Sequence, residues 1–403
     1  TYPTWEPGIP QGMCSNTLTQ FEEPGFEDMG EKVLFFSRGD GPDHARRDLA
    51  IAKRVEQEGE RVEVIFASWG EGYRRIRNAG WRCENIGRNT GDDHERLVYI
   101  GKTIGGQKPD LIVTDEELLA LPMAKVFDIP SILITNWFPP DKGHPLMGYF
   151  VDPDLILVPL PKDIYAKPVD LLTPVKCVGP IAFLNETTSR VRGRLKQKLK
   201  LEMGEKLILV DPFGVELEDE GFFKCCVEAF EKLNPFARMI MVVGKLKAEI
   251  ESVAWKNPRI QLRDHLLQPE PYMMASDLII HRGGFFAMWK PIEMSIPTIY
   301  VPRMREEEFR PQIIQIAKNL EKRDVMTLVK EEDLSGDTLA SAMREILHNY
   351  ERWEKMSRAA RELTFIDGAT GAALEILKKL QKGKEVNGDD RDDERGAVDR
   401  PEH

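Results

Sequence analysis

The sequence predicts an α/β protein of two tandem domains, each built on a parallel sheet. Between residues 31 and 380 short apolar runs alternate with longer amphipathic stretches, the pattern of repeated strand and helix units. The pattern also starts twice. Lys32-Val33-Leu34-Phe35-Phe36 and Lys206-Leu207-Ile208-Leu209-Val210 are both buried-strand runs, each followed by a glycine-containing loop and a helix. Finally, 403 residues exceed what one ordinary core organises, so a cleft between two cores is available.

Residues 1–30 carry Pro, Gly and acidic side chains without periodicity and read as a flexible tail. The first domain, 31–180, opens with the strand at 32–36. A helix through Leu49, Ala50, Ile51 and Val55 follows and stops near Gly59, and further strands fall at 62–66, 111–113, 131–135 and 155–158. A boundary lies near Gly179-Pro180. Residues 181–204 read as a linker helix with Val191, Leu195 and Leu199 on one stripe and Arg190, Arg192, Arg194, Lys196, Lys198 and Lys200 around it. Such a helix either packs that stripe on a core or lies on an anionic membrane surface. The second domain, 205–363, runs through a strand at 206–210, the turn Asp211-Pro212-Phe213-Gly214 and a helix at 222–233. Strands follow at 239–243, 260–262, 278–280 and 298–301, then a helical pattern over 338–363. The pattern breaks at Asp367-Gly368, resumes in a last helix within 364–382, and gives way to an acidic tail over 383–403 that is expected to be disordered.

Composition narrows the function. A formal net charge of -11 argues against a general nucleic-acid partner, since counterion release needs a field of Lys and Arg. Cys14, Cys83, Cys177, Cys225 and Cys226 form neither a CxxC pair nor a metal-ligand spacing with His, so no zinc site or disulfide framework is expected. No apolar run reaches the roughly 20 residues that span a bilayer. A cytoplasmic protein with at most peripheral contact at a membrane surface is the resulting expectation.

In open parallel sheets ligands bind beyond the carboxyl ends of the strands. The loop after the first strand, Ser37-Arg38-Gly39-Asp40-Gly41-Pro42-Asp43-His44, puts His44 at a helix start, where the positive helix end is expected to lower its pKa and keep it a neutral base. It serves there either as a base or as a hydrogen bond within the loop. Asp115 follows another strand of the same domain and either orients His44 or binds an acceptor hydroxyl, or else caps a helix, with Glu116 read as part of the first helical turn. In the second domain the strand Leu278-Ile279-Ile280 runs through His281 and Arg282 into Gly283-Gly284-Phe285. There the amides of a helix start suit a phosphate, with Arg282 placed to assist.

These residues carry a resemblance. The run Ala275-Ser276-Asp277-Leu278-Ile279-Ile280, then Arg282-Gly283-Gly284, then Ile296-Pro297-Thr298-Ile299-Tyr300-Val301-Pro302, closed by the polar stretch 306–312, resembles the donor domain of the GT-B glycosyltransferases. Within these it is similar to the enzymes, with a family 28-like C-terminal domain, that add N-acetylglucosamine to the lipid-linked peptidoglycan precursor. The loop ending at His44, and Lys108-Pro109-Asp110-Leu111-Ile112-Val113-Thr114-Asp115, are similar to the companion domain. The resemblance implies two Rossmann-like domains facing each other across a cleft, with the last helix crossing back to the first. It implies an inverting, metal-independent transferase with no cofactor, taking a nucleotide-diphosphate sugar, UDP-linked, to a hydroxyl of a small-molecule or lipid-linked acceptor. His44 would be the base and Asp115 its partner. Donor contacts would fall on Gly214, Arg282, Gly283, Gly284, Phe285, Lys290, Glu293, Glu308 and Gln312, and acceptor contacts on Gly41, Asn136 and Trp137.

The chain departs from that pattern. Lys290 stands where a glutamate usually takes the ribose hydroxyls, and a cation cannot accept from a diol. Glu293, about one helical turn on, is a substitute. Pro291 is expected to kink or end its helix. Asp43 replaces a usual glycine, and the turn at 211–214 lacks a glycine pair. These departures imply either a donor other than a standard uridine diphosphate sugar or a weakened activity, and they motivate a second reading, a degenerate scaffold acting as a binding or partner subunit. The same two-domain scaffold also suits an epimerase or hydrolase of nucleotide sugars.

Overall fold

The computed structural model describes residues 30–87, 93–165, 170–181, 188–212, 219–233, 236–255, 257–266, 269–302, 310–364 and 367–393. Gly214 and Glu308, and the segment 1–29, lie outside them. In the first sheet, β1 (Glu31–Ser37), β2 (Val62–Ser68), β3 (Cys83–Asn85), β4 (Leu111–Asp115), β5 (Ser131–Ile134), β6 (Leu155–Val158) and β7 (Val175–Cys177) stand in the order β3-β2-β1-β4-β5-β6-β7. In the second, β8 (Lys206–Val210), β9 (Ala237–Val242), β10 (Ile260–Arg263), β11 (Leu278–His281), β12 (Thr298–Tyr300) and β13 (Thr327–Leu328) stand as β10-β9-β8-β11-β12-β13. All pairs are parallel and the two sheets share one winding, so each has a crevice where strand order reverses: between β1 and β4, and between β8 and β11.

The central strands are apolar along their whole length because helices cover both faces. Val33, Phe35, Val113 and Ile134 pack on one side of the first sheet, Leu34, Phe36 and Ile112 on the other. A similar division separates Ile208 and Val210 from Leu207 and Leu209 in the second. The helix Gly368–Asp393 returns to the first domain, where Ala372, Ala373 and Ile376 join the core under the helix Pro42–Glu58. Its start fits only glycine: a Cβ on Gly368 would lie 2.2 Å from the Gly179 carbonyl oxygen. That helix runs on to Asp393, through the beginning of the stretch expected to be a disordered tail.

Other boundaries also differ from expectation. The pattern over 338–363 is two helices, Gly336–Leu347 and Tyr350–Thr364. Pro291 lies inside the helix Phe285–Glu293, which ends two residues later with Ser295 in the left-handed region. The linker helix Thr188–Lys198 is a second-domain element: Leu195 is buried against Leu207 and Leu209. Asp277 binds Arg192 at 2.6 Å and Lys196 at 2.9 Å, which commits two of that helix's cations to the protein itself. Among the described residues no helix is long and apolar enough to cross a membrane.

A fifth apolar cluster joins the two domains. Leu121, Leu133, Phe138 and Phe150 of the first meet Met288, Trp289, Ile292 and Tyr300 of the second, so the floor of the cleft is one continuous core.

Candidate active site in the cleft

At the first crevice, β1 delivers the glycine loop and β4 delivers Asp115. Gly41 is the extended N-cap of the helix Pro42–Glu58, and a side chain there would meet nothing within 4 Å. His44 lies in the first turn, 6% exposed, with Nδ1 2.8 Å from Asp115 Oδ1. Of the readings of Asp115, this is the orienting one: it holds the imidazole by Nδ1, with Nε2 on the side of Glu116. Asp115 is itself held by Arg47, whose Nε donates to Oδ2 at 2.7 Å and whose Nη2 donates to Oδ1.

The charge balance at His44 corrects the expected lowering of its pKa. Burial does oppose the imidazolium, but the Asp115 carboxylate and its hydrogen bond, with Glu116 behind, outweigh that and raise the His44 pKa above its ordinary value. Asp115 moves the other way. Burial penalises its charge, yet Arg47 and His44 hold its carboxyl well below the usual carboxylate range. Next to it the fully buried Asp48 is pushed well above that range, first by burial and then by the Asp115 charge.

Sequence reasoning passed over Arg47, Asp48 and the true place of Glu116. Arg47 and Asp48 follow His44 by three and four positions, hence on one helical face, and that spacing was the available signal. Glu116 is not in a helical turn, because the next helix begins only at Ala120. It extends β4 by a bridge to Ser37, has φ +57°, and brings Oε2 to 3.8 Å from His44 Nε2. Behind it Glu117 accepts from Trp69 Nε1 at 2.8 Å and fixes the loop.

At the second crevice Gly283 and Gly284 lead into the helix Phe285–Glu293. A Cβ on Gly283 would stand 2.1 Å from Ala287 Cβ and 3.0 Å from the Pro212 carbonyl oxygen, so glycine lets the turn close on the loop after β8. On Gly284 it would meet nothing within 4 Å: the turn is open on that side. This helix start can receive an anion. Arg282 is not available to assist. Its guanidinium is buried, donates to Asp219 at 2.5 Å and to Glu331, and lies over the Phe222 ring, so its charge is spent inside the second domain. Gln312 is likewise turned away from a donor role, its amide accepting from Phe138 N–H at 3.0 Å and donating to the Phe138 carbonyl oxygen.

The two crevices face each other through charge pairs. Lys290 Nζ lies 3.7 Å from Asp43 Oδ1, and Arg46 Nη2 lies 3.1 Å from Glu270 Oε1. Two departures from the family pattern, Asp43 and Lys290, thus compensate each other across the cleft, and the turn bearing His44 stands against the helix that follows Gly284. Glu293 closes that helix. Asn136 is buried with its Nδ2 lacking a hydrogen-bond partner among the described residues, and Trp137 packs edge-on to Phe150 at 5.0 Å. Among the described residues no group of three or more His, Cys, Asp or Glu side chains is placed to hold a metal ion.

Comparison with known proteins agrees with this architecture. Residues 222–371 match the glycosyltransferase family 28 C-terminal domain. A UDP-N-acetylglucosamine--N-acetylmuramyl-(pentapeptide) pyrophosphoryl-undecaprenol N-acetylglucosamine transferase of Bacillus pumilus is 34% identical over 202 residues, which span 49% of this chain and 54% of that protein. An uncharacterized glycosyltransferase of Methanosarcina mazei is 23% identical over 88% of this chain and 100% of its own length. The crystal structure of Acinetobacter baumannii MurG superposes with a TM-score of 0.61 at 14% identity, covering 87% of this chain and 99% of that one. The chain therefore has the GT-B fold, and its residues 222–371 carry a match to the glycosyltransferase family 28 C-terminal domain.

Proposed function

We propose that the protein transfers a sugar from a nucleotide-diphosphate sugar, UDP-linked, to a hydroxyl of a small-molecule or lipid-linked acceptor, with inversion and without a metal ion. The observation that carries this reading is the His44–Asp115 pair, 2.8 Å apart at the crevice of the first sheet, on a helix turn whose Asp43 pairs with Lys290 of the helix that follows the glycine turn of the second. His44 Nε2 takes the proton of the acceptor hydroxyl as its oxygen bonds to the anomeric carbon. The bond from that carbon to the diphosphate oxygen breaks on the opposite face, and the imidazolium is stabilised by Asp115. The charge left on the nucleoside diphosphate falls to the helix start at Gly283, Gly284 and Phe285. The Bacillus pumilus relative's name specifies a UDP-sugar donor and a pyrophosphoryl-lipid acceptor, which supports a donor and an acceptor of those classes here.

The test is a thermal-shift screen of nucleoside diphosphates followed by transfer assays. A bound nucleotide raises the melting temperature. His44→Ala is expected to retain that shift and to lose transfer by a factor of about 10²–10⁴. Unchanged turnover would remove His44 from the chemistry, and consumption of donor without acceptor would favour hydrolysis or epimerisation instead.

A further inference from the structure

Glu116 occupies a position that suits glycine. Its φ of +57° lies in the left-handed region, which side chains enter at a penalty. The conformation is imposed by the antiparallel bridge from Ser37 and by the Arg38 N–H donating to the Asp115 carbonyl oxygen at 3.1 Å. Glycine would meet both constraints without strain, so the carboxylate itself has a use. It is buried and aimed. Thr135 Oγ1 donates to Oε1 at 3.1 Å, and Oε2 is turned toward His44 Nε2 at 3.8 Å, beyond hydrogen-bond reach. The opposite imidazole nitrogen is committed to Asp115. One residue beyond Thr135, the buried Asn136 Nδ2 has no hydrogen-bond partner among the described residues.

Building on the transfer reading, we propose that Glu116 is the residue that selects the acceptor. It accepts a hydrogen bond from a second donor group on the carbon next to the reacting hydroxyl. Nε2 and Oε2 stand 3.8 Å apart, a spacing at which two hydroxyls on adjacent carbons, about 2.8 Å from each other, can each reach its own partner. The reacting hydroxyl gives its proton to Nε2, while its neighbour donates to Oε2 and keeps its own. An acceptor with a lone hydroxyl would leave Oε2 of this buried carboxylate without a donor and is rejected for that reason.

Saturation-transfer NMR with methyl β-D-glucoside and its monodeoxy analogues, in the presence of UDP, tests this on the wild type, Glu116→Gln and Glu116→Gly. The wild type is expected to bind the parent and to lose at least about tenfold in affinity when one particular hydroxyl is removed. Both variants are expected to bind the parent and that analogue alike. Glu116→Gly relieves the left-handed backbone, so it reports even where the glutamine variant fails to fold. Equal binding of the whole set by the wild type, discrimination kept by the variants, or no binding of the parent overturns the proposal. The melting shift caused by UDP in the same samples separates two failures. If it is present, only the acceptor assignment is at fault; if it is absent, the transfer reading is.

Discussion

Burial and neighbouring charge pull the His44 imidazole in opposite directions, and the carboxylates win. Because its folded pKa is raised above the ordinary 6.5, the stability that His44 contributes is complete below 6.5 and is lost as pH rises through the folded value. Asp115, with its pKa lowered, contributes stability above its ordinary 3.8 that is lost as pH falls through the folded value. In the proposed transfer the base is the neutral imidazole, so activity gains where the His44 contribution to stability is given up. The rising limb of kcat/KM against pH is expected above 6.5. Asp115→Asn should move it to lower pH and slow turnover about a hundredfold or more, read on protein with native circular dichroism. A wild-type limb at or below 6.5, or one that the variant does not move, contradicts this account of the site.

Among the elements, the end of β11 shows a residue whose chemistry was legible while its partners were not. An arginine beside two glycines reads as a phosphate contact, yet Arg282 ties Asp219, the N-cap of the helix Glu220–Glu231, to Glu331 and stacks on Phe222. Its hydrogen-bond partners lie 63 and 49 residues away, and only the folded sheet brings them together. Arg282→Ala is expected to destabilise the protein by about 2–4 kcal/mol, since it opens a cavity and leaves two carboxylates without their cation. The urea midpoint should fall at constant m, with nucleotide affinity of the folded variant unchanged. An unchanged midpoint with lost nucleotide affinity would return Arg282 to the donor site. The same physical distinction runs through the rest of the fold. Long apolar runs such as β1 and β8 announce themselves by pattern, whereas β3, β7 and β13, with 3, 3 and 2 residues at or near sheet edges, are too short to show a period. The break at His348-Asn349 carries neither Gly nor Pro. In the site, the glycine loop, His44 and Asp115 could be read locally. Glu116 could not, because its backbone is set by the pairing of β1 with β4.

Across the whole molecule, closure of the cleft rests on apolar contact more than on charge. The pairs Arg46–Glu270 and Lys290–Asp43 are partly exposed, and pairs of that kind contribute about 0–1 kcal/mol each and weaken with salt. Phe138, Met288, Ile292 and Tyr300 are almost wholly buried in the cluster shared by both domains, and side chains of this size contribute about 1.5–3 kcal/mol each. The two domains are therefore expected to unfold together, as a single calorimetric endotherm that persists at 0.5 M salt, about the ionic strength at which the exposed pairs are largely screened. Gln312 is the sensitive point, since its amide satisfies both the N–H and the carbonyl of buried Phe138 in the other domain. Gln312→Ala leaves two buried backbone groups without partners and should cost about 1–3 kcal/mol, all of it at the interface. The loss falls on neither domain's own core, so the variant's endotherm should broaden or divide while the later part of the transition keeps its wild-type temperature. Two resolved transitions in the wild type, or division by salt alone, would mean that the charge pairs and not the shared core hold the domains together.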